Sequence, residues 1–184
     1  MPSAARVLVY GFERRRRVQF VEPTPQADDW VHDRVIGVPQ GERWRPFEIE
    51  LIPELEGRTL EDVDMPYFAA DALVVKDRAL PRAQELLGPY AEFLPLICEQ
   101  EPLTLVNVVA EVDALDLAAS LVPRVAANRV MRGDAFVFRR EALPDEGVFV
   151  IPPSPGRRIF CTRPTALVLR KAFTGLELQP VWEG

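Results

Sequence analysis

Short runs of apolar and β-branched residues near the beginning of the chain predict β-strands. Residues 6–10 (RVLVY) and 17–22 (RVQFVE) have the composition typical of strands with one buried face. Residues 23–66 are rich in proline and acidic side chains, and few positions there follow a helical period. We therefore expect residues 1–66 to form a β-rich, proline- and acid-rich N-terminal subdomain.

The pattern then changes, and apolar strands begin to alternate with helical periodicity. Residues 73–75 (LVV) predict a buried strand, and Asp77 is suited to cap the helical pattern that follows over residues 79–87. Residues 93–96 are again extended in character. This order predicts a strand–helix–strand unit.

A second segment near the C-terminus repeats this order. Residues 159–161 (IFC) predict a strand, residues 166–173 a helix with Pro164 in its first turn, and residues 176–181 a further strand. The two segments share few identical residues, but the order of their elements is the same. We therefore predict two related strand–helix–strand units.

The segment between these units adds further strands. Residues 103–109 (LTLVNVV) form a continuous apolar run, and residues 136–138 and 148–151 are short apolar runs bounded by turn residues. The chain as a whole predicts an α+β fold, in which a mixed β-sheet is combined with a few short helices near residues 78–88, 114–122 and 164–174.

Three carboxylates, Glu111, Asp113 and Asp116, directly follow the apolar run. Asp113 is suited to cap the helix expected at residues 114–122, and Asp116 would lie near the positive end of its dipole. Because capping accounts for both aspartates, we interpret them as a structural motif. A magnesium or calcium site formed by the three carboxylates stays open, although no calcium-loop spacing is present.

The formal net charge of −6 argues against general binding of nucleic acids and anionic membranes, because both require a basic surface. The run Arg14–Arg17 has no interleaved aromatic residues, and we interpret it as a solvated strand edge. An acidic chain suits a basic partner protein. Whether the chain also forms a homodimer stays open.

Acidic side chains concentrate between Glu48 and Asp64, where seven carboxylates accompany a single arginine, Arg58. Such a segment is either a solvated loop or a contact surface for a basic partner. The residues that we predict to contact such a partner are Glu48, Glu50, Glu54, Glu61, Asp62 and Asp64.

Few side chains are suited to catalysis or metal binding. His32 is the single histidine, and Cys98 and Cys161 lie far apart in apolar segments, as expected of free buried thiols. Neither a G-x-S-x-G elbow nor a glycine-rich phosphate loop occurs. A glycosidase-like carboxylate pair stays open, because such pairs are defined in space. We expect no enzymatic activity, no cofactor and no metal.

The sequence contains no apolar run long enough to cross a membrane. The first residues lack the long apolar core of a signal peptide. We therefore expect a cytoplasmic protein without membrane contact.

Residues 112–116 (VDALD), preceded by the apolar strand, resemble the signature of the bacterial polymorphic-toxin immunity protein family eleven, formerly a domain of unknown function. In that family a strand ending in an aspartate–x–leucine–aspartate motif lies between two segments, which resemble residues 73–96 and 159–181 here. Residues 173–177 (FTGLE) are similar to the leucine–threonine–glycine–leucine–glutamate run of the downstream segment.

The resemblance covers roughly residues 68–184, and we expect residues 67–184 to form the immunity-family-like α+β region. The family tends to have a serine after each of its two strands, where this chain has Lys76 and Thr162. The first 66 residues match only in general character.

The resemblance implies a protein that binds and neutralises a secreted toxin, an effector encoded beside it, and so protects the producing cell. Trp30, Trp44 and Tyr67 are candidate aromatic anchors for such a contact. The alternatives are a carboxylate-dependent enzyme of unknown substrate and a structural or interaction subunit.

Overall fold

The computed structural model describes residues 8–24, 37–69, 72–120, 135–152 and 158–184. Within these ranges the chain forms two α-helices, α1 (Leu80–Leu87) and α2 (Arg163–Ala172), each with a proline in its first turn. The strands of the same ranges are β1 (Leu8–Glu13), β2 (Phe20–Pro23), β3 (Ile49–Ile52), β4 (Glu54–Leu55), β5 (Arg58–Thr59), β6 (Tyr67–Ala69), β7 (Ala72–Lys76), β8 (Ala91–Pro95), β9 (Leu103–Val108), β10 (Val148–Phe149), β11 (Phe160–Thr162) and β12 (Glu177–Glu183).

The larger sheet has six strands in the order β3-β2-β6-β7-β9-β8. Only the β2–β6 pair is parallel, so the sheet is mixed. The sheet curls until its two edges meet: the Ile49 amide donates to the Ile97 carbonyl at 2.9 Å, and the Ile97 amide donates to the Phe47 carbonyl at 3.0 Å. The predicted α+β fold with a mixed sheet is confirmed.

The smaller sheet has four strands in the order β10-β11-β1-β12, all antiparallel. Here β11 and β12 run parallel to each other on either side of β1, with α2 joining them. In the larger sheet β7 and β8 flank β9 in the same way, with α1 joining them. Both predicted strand–helix–strand units therefore form, and each accepts a strand from elsewhere in the chain between its own two strands.

The correspondence between the two halves of the chain extends beyond these units. In the first half β2 runs parallel to β6. In the second half residues 110–112 run parallel to the end of β10, with the Val112 amide donating to the Val150 carbonyl at 3.0 Å. Among the described elements, β1, β2, β6, β7, α1 and β8 of the first half therefore correspond in order to β9, residues 110–112, β10, β11, α2 and β12 of the second half. Each half contributes its first strand, β1 or β9, to the sheet of the other.

The main hydrophobic core lies where both helices pack against both sheets. Ala83 and Leu87 of α1, together with Ala166 and Leu169 of α2, are buried in it. A second cluster fills the inside of the curled sheet, and a third, rich in phenylalanine, covers the other face of the smaller sheet. Because each half lends a strand to the other sheet, we expect the two halves to unfold together.

Gly175, in the run that follows α2, is required by both backbone and packing. Its φ of +95° lies in the region that favours glycine. A Cβ atom built there would lie 2.5 Å from the Met65 carbonyl oxygen and 2.8 Å from a methyl group of Val63. The end of α2 is thereby held directly against the acidic segment that precedes β6.

The prediction of a helix at residues 114–122 is wrong over residues 114–120, and residues 121–122 lie outside the described part of the chain. Leu115 instead pairs with Phe138 in an antiparallel bridge. The Asp116 amide donates to the Val137 carbonyl at 2.8 Å. Ala114 and Leu115 are buried in the phenylalanine-rich cluster, so strand pairing and burial override the local helical pattern.

Asp113 consequently has no helix to cap over residues 114–120, and its carboxylate pairs with Arg139 at 2.9 Å. Asp116 instead stabilises a turn, because its Oδ1 accepts the amides of Ala118 (3.0 Å) and Ala119 (3.1 Å). We expect Asp116→Ala to lower the free energy of unfolding by about 1 kcal/mol. We expect Asp113→Ala, whose side chain is 78% exposed, to cost at most about 0.5 kcal/mol. Urea denaturation of both variants checks this order, and a larger loss for Asp113→Ala would contradict it.

Candidate functional site

The acidic segment from Glu48 to Asp64 divides into an internal part, whose carboxylates form ion pairs within the chain, and an outward part, whose carboxylates point to solvent. In the internal part, Glu61 pairs with Arg15 at 3.2 Å, Asp62 with Lys76 at 2.7 Å, and Asp64 with Arg78 at 3.0 Å. Arg15 is distant in sequence from Glu61, and strand β6 lies in the sequence between the two aspartates and their cations, Lys76 and Arg78. Three of the six predicted contact residues are therefore already engaged within the chain.

Lys76 is the centre of the internal part. Its side chain is only 2% exposed, and its ammonium group donates to Gln19 Oε1 at 2.7 Å, to Asp62 Oδ1 at 2.7 Å and to Glu101 Oε1 at 2.5 Å. An ammonium group has three donors, so all of its hydrogen bonds are made. Lys76 thus ties the end of β7 to the start of β2, to the acidic segment and to the residues before β9.

Arg78 and Asp64 extend this network to Thr174, in the run that follows α2. Arg78 contacts both carboxylate oxygens of Asp62, at 2.8 and 3.1 Å. Asp64 Oδ2 accepts the Thr174 amide at 3.0 Å and the Thr174 hydroxyl at 2.8 Å. Hydrogen bonds from Arg78 and Lys76 lower the pKa of Asp62 to about 2. Burial opposes ionisation of Asp64, but hydrogen bonds from Thr174 and Arg78 lower its pKa.

The contribution of Asp62 to the free energy of unfolding should decrease as the solution becomes acidic. Its pKa falls from 3.8 to about 2 on folding, so the contribution is fully present above about pH 4 and is lost as pH falls towards 2. Urea unfolding as a function of pH should show a steeper loss over this range for the wild type than for Asp62→Asn. Equal slopes for the two proteins would contradict this assignment.

The outward part lies on β2 and β3. Glu48 and Glu50 alternate with the buried Ile49 and so point to solvent, and the strand register places Glu22 directly opposite Glu50. Among the described residues, no lysine or arginine forms an ion pair with any of the three. We call Glu22, Glu48 and Glu50 the acidic face.

An apolar side chain adjoins the acidic face. Ile97 is 48% exposed and forms a bridge with Glu48 where the two edges of the curled sheet meet. The backbone beneath is fixed by the core residues Val21 and Leu51. The acidic face is therefore a rigid surface with an exposed apolar group beside Glu48.

Sequence reasoning missed Glu22 and Ile97, because only the strand register and the closing of the sheet bring them to Glu48 and Glu50. Glu54 is exposed on the β4–β5 hairpin, outside this face. Trp44 is half-buried, with its indole N–H donating to the Pro95 carbonyl at 3.0 Å. Tyr67 is half-buried in β6. Trp30 and His32 lie outside the described residues.

The remaining candidate groups are dispersed. Within the described ranges, no group of three or more histidine, cysteine, aspartate or glutamate side chains is arranged to hold a metal ion. Cys161 is buried, which raises its pKa to about 12, and Cys98 is half-buried with its Sγ 3.0 Å from Gln100 Oε1. No helix of the described part combines the length and the apolar character that crossing a membrane requires.

A comparison with models of known protein families and with curated proteins finds no match to this chain. The resemblance to immunity protein family eleven therefore rests on the short motifs of the sequence. It stays a prediction, and the geometry of the acidic face is an independent observation.

Proposed function

We propose that this chain is a cytoplasmic immunity protein that binds and neutralises a co-encoded, secreted polymorphic toxin. The observation that supports this proposal most directly is the acidic face. Glu22, Glu48 and Glu50 are held by two paired strands and have no cation among the described residues to neutralise them. The sequence resemblance supports the same class of function.

The acidic face suits a basic protein surface. Carboxylates fixed on a rigid sheet attract a basic partner over a distance of about 10 Å at moderate salt and raise the rate of productive encounter. Ile97 offers an apolar group that loses its contact with water when the partner docks. Inhibition would then follow from stoichiometric occupation of the toxin surface, without turnover of a substrate.

The internal part of the acidic segment has a different role in this proposal. Asp62 and Asp64 already form ion pairs with Lys76 and Arg78, and these pairs position the loop that leads into β6. We therefore place the contact at Glu22, Glu48, Glu50 and Ile97, whereas Glu54 lies outside it on the β4–β5 hairpin. Asp62 and Asp64 instead stabilise the fold through Lys76, Arg78 and Thr174.

Co-expression in bacteria tests the proposal. Cells that carry the gene adjacent to the one encoding this chain should die or stop growing when that gene is induced alone, and should survive when this chain is produced with it. Glu48→Lys with Glu50→Lys should abolish protection at equal protein levels. Growth arrest that persists in the presence of the wild-type chain would refute the proposed function.

A further inference from the structure

The outward side of α2 has a chemistry opposite to that of the acidic face. Leu167 and Val168 are 47% and 44% exposed, while Ala166 and Leu169 on the inward side are buried. Arg163 and Lys171 lie one turn before and one turn after Leu167 and so share its side of the helix. We call Arg163, Leu167, Val168 and Lys171 the basic face.

The basic face is uncompensated within the described part of the chain. None of the described carboxylates forms an ion pair with Arg163 or Lys171. The corresponding helix of the other half, α1, exposes Pro81 and an ion pair between Arg82 and Glu85 at 2.5 Å. The combination of apolar and unpaired basic side chains is thus specific to α2 and is not a general property of this helix position.

The two faces are complementary to each other. Each combines charges of one sign with exposed aliphatic side chains, since Ile97 adjoins the acidic face and Leu167 and Val168 belong to the basic face. The two faces belong to different parts of the fold. The basic face is on α2, which packs on the smaller sheet, and the acidic face is on β2 and β3 at an edge of the larger sheet. We propose that the acidic face of one copy of this chain docks on the basic face of a second copy.

This contact is heterologous, since it joins two different surfaces. A pair of copies leaves one acidic and one basic face free, so the assembly grows with protein concentration unless it closes into a ring. The ionic part of the contact is screened by salt. The inference rests on the proposed function in one respect: a toxin that occupies the acidic face would dissociate the assembly and release single copies for binding.

Sedimentation velocity of the purified chain alone tests the contact, so the result is independent of whether the toxin assignment is correct. At low salt the average sedimentation coefficient should rise with concentration, and at high salt it should be that of a single copy. A value that stays at that of a single copy at every concentration in low salt would overturn the proposal.

Charge exchange identifies the two faces. Arg163→Glu with Lys171→Glu makes both faces acidic, and Glu48→Lys with Glu50→Lys makes both basic, so each variant alone should associate on the order of tenfold more weakly. All four substitutions in one chain, or an equimolar mixture of the two variants, should restore association. Misfolded variants would not regain association in this way, so restored association would identify the two faces.

Control variants distinguish these faces from a general effect of net charge. Arg16→Glu with Arg82→Glu introduces the same change in charge at exposed positions away from α2 and should leave association unchanged. Leu167→Gln should weaken association without altering the charge. If the reversal on α2 has no effect, or if the four-fold variant fails to restore association, the proposed pairing of faces is wrong.

Discussion

Lys76→Ala is expected to lower the free energy of unfolding by about 3 kcal/mol, the largest effect of a single substitution in the acidic network. The substitution leaves Gln19, Asp62 and Glu101 without their shared donor, and it removes the packed aliphatic part of a side chain that is 2% exposed. The carboxylates of Asp62 and Glu101 reach solvent, so water hydrates them in the variant and offsets part of the lost stability. The expected loss of about 3 kcal/mol therefore lies at the lower end of the range for a broken buried ion pair.

The chain provides a matched control, since Lys171 is its only other lysine. Lys171 is exposed on α2, and Lys171→Ala should change stability by less than about 0.5 kcal/mol. Lys76→Met, which keeps the aliphatic volume, should cost less than Lys76→Ala. Urea denaturation measures all three variants, and equal stabilities for Lys76→Ala and Lys171→Ala would show that the network does not hold the fold together.

Reversing the acidic face is expected to have the largest effect on function. Glu48→Lys with Glu50→Lys should weaken binding of the adjacent gene product by on the order of a hundredfold and should slow association most at low salt, because attraction becomes repulsion. The fold should persist, since both side chains are exposed and unpaired among the described residues.

Two comparisons make this result specific. Glu141→Lys with Glu146→Lys changes the net charge equally at exposed positions in the other half and should leave binding within about threefold of the wild type. Asp62→Lys should act through stability, because it places a third cation beside Lys76 and Arg78. Equal loss of binding for the two double variants would point to net charge alone and would remove the assignment of the acidic face.

The helices that the sequence predicted correctly have strong local signals. Pro81 and Pro164 lie in first turns, and Gly88 and Gly175 follow the ends of α1 and α2. The helix expected at residues 114–122 has neither a proline in its first turn nor a glycine after its end, and its prediction rested on Asp113 as a cap. At these residues, strand pairing with residues 136–139 outweighs the local preference for a helix. The partner residues are about twenty positions away, so no local pattern of the sequence reveals the pairing.

The candidate site shows the same limit. The concentration of acid between Glu48 and Asp64 is visible in the sequence, but the separation into paired and unpaired carboxylates is not. Lys76 and Arg78 reach Asp62 only because β7 ends beside the acidic segment, and Glu22 reaches Glu50 only through the register of β2 with β3. The exchange of β1 and β9 between halves is likewise set by long-range pairing.

The most direct test of the proposed function is a calorimetric titration of the wild-type chain with the purified product of the adjacent gene. We predict a saturable complex of one copy of each protein, an affinity that falls as salt rises, and loss of the complex in the Glu48→Lys, Glu50→Lys variant. Absence of any complex between the wild-type chain and a folded, active toxin would contradict the proposal that this chain is its immunity protein.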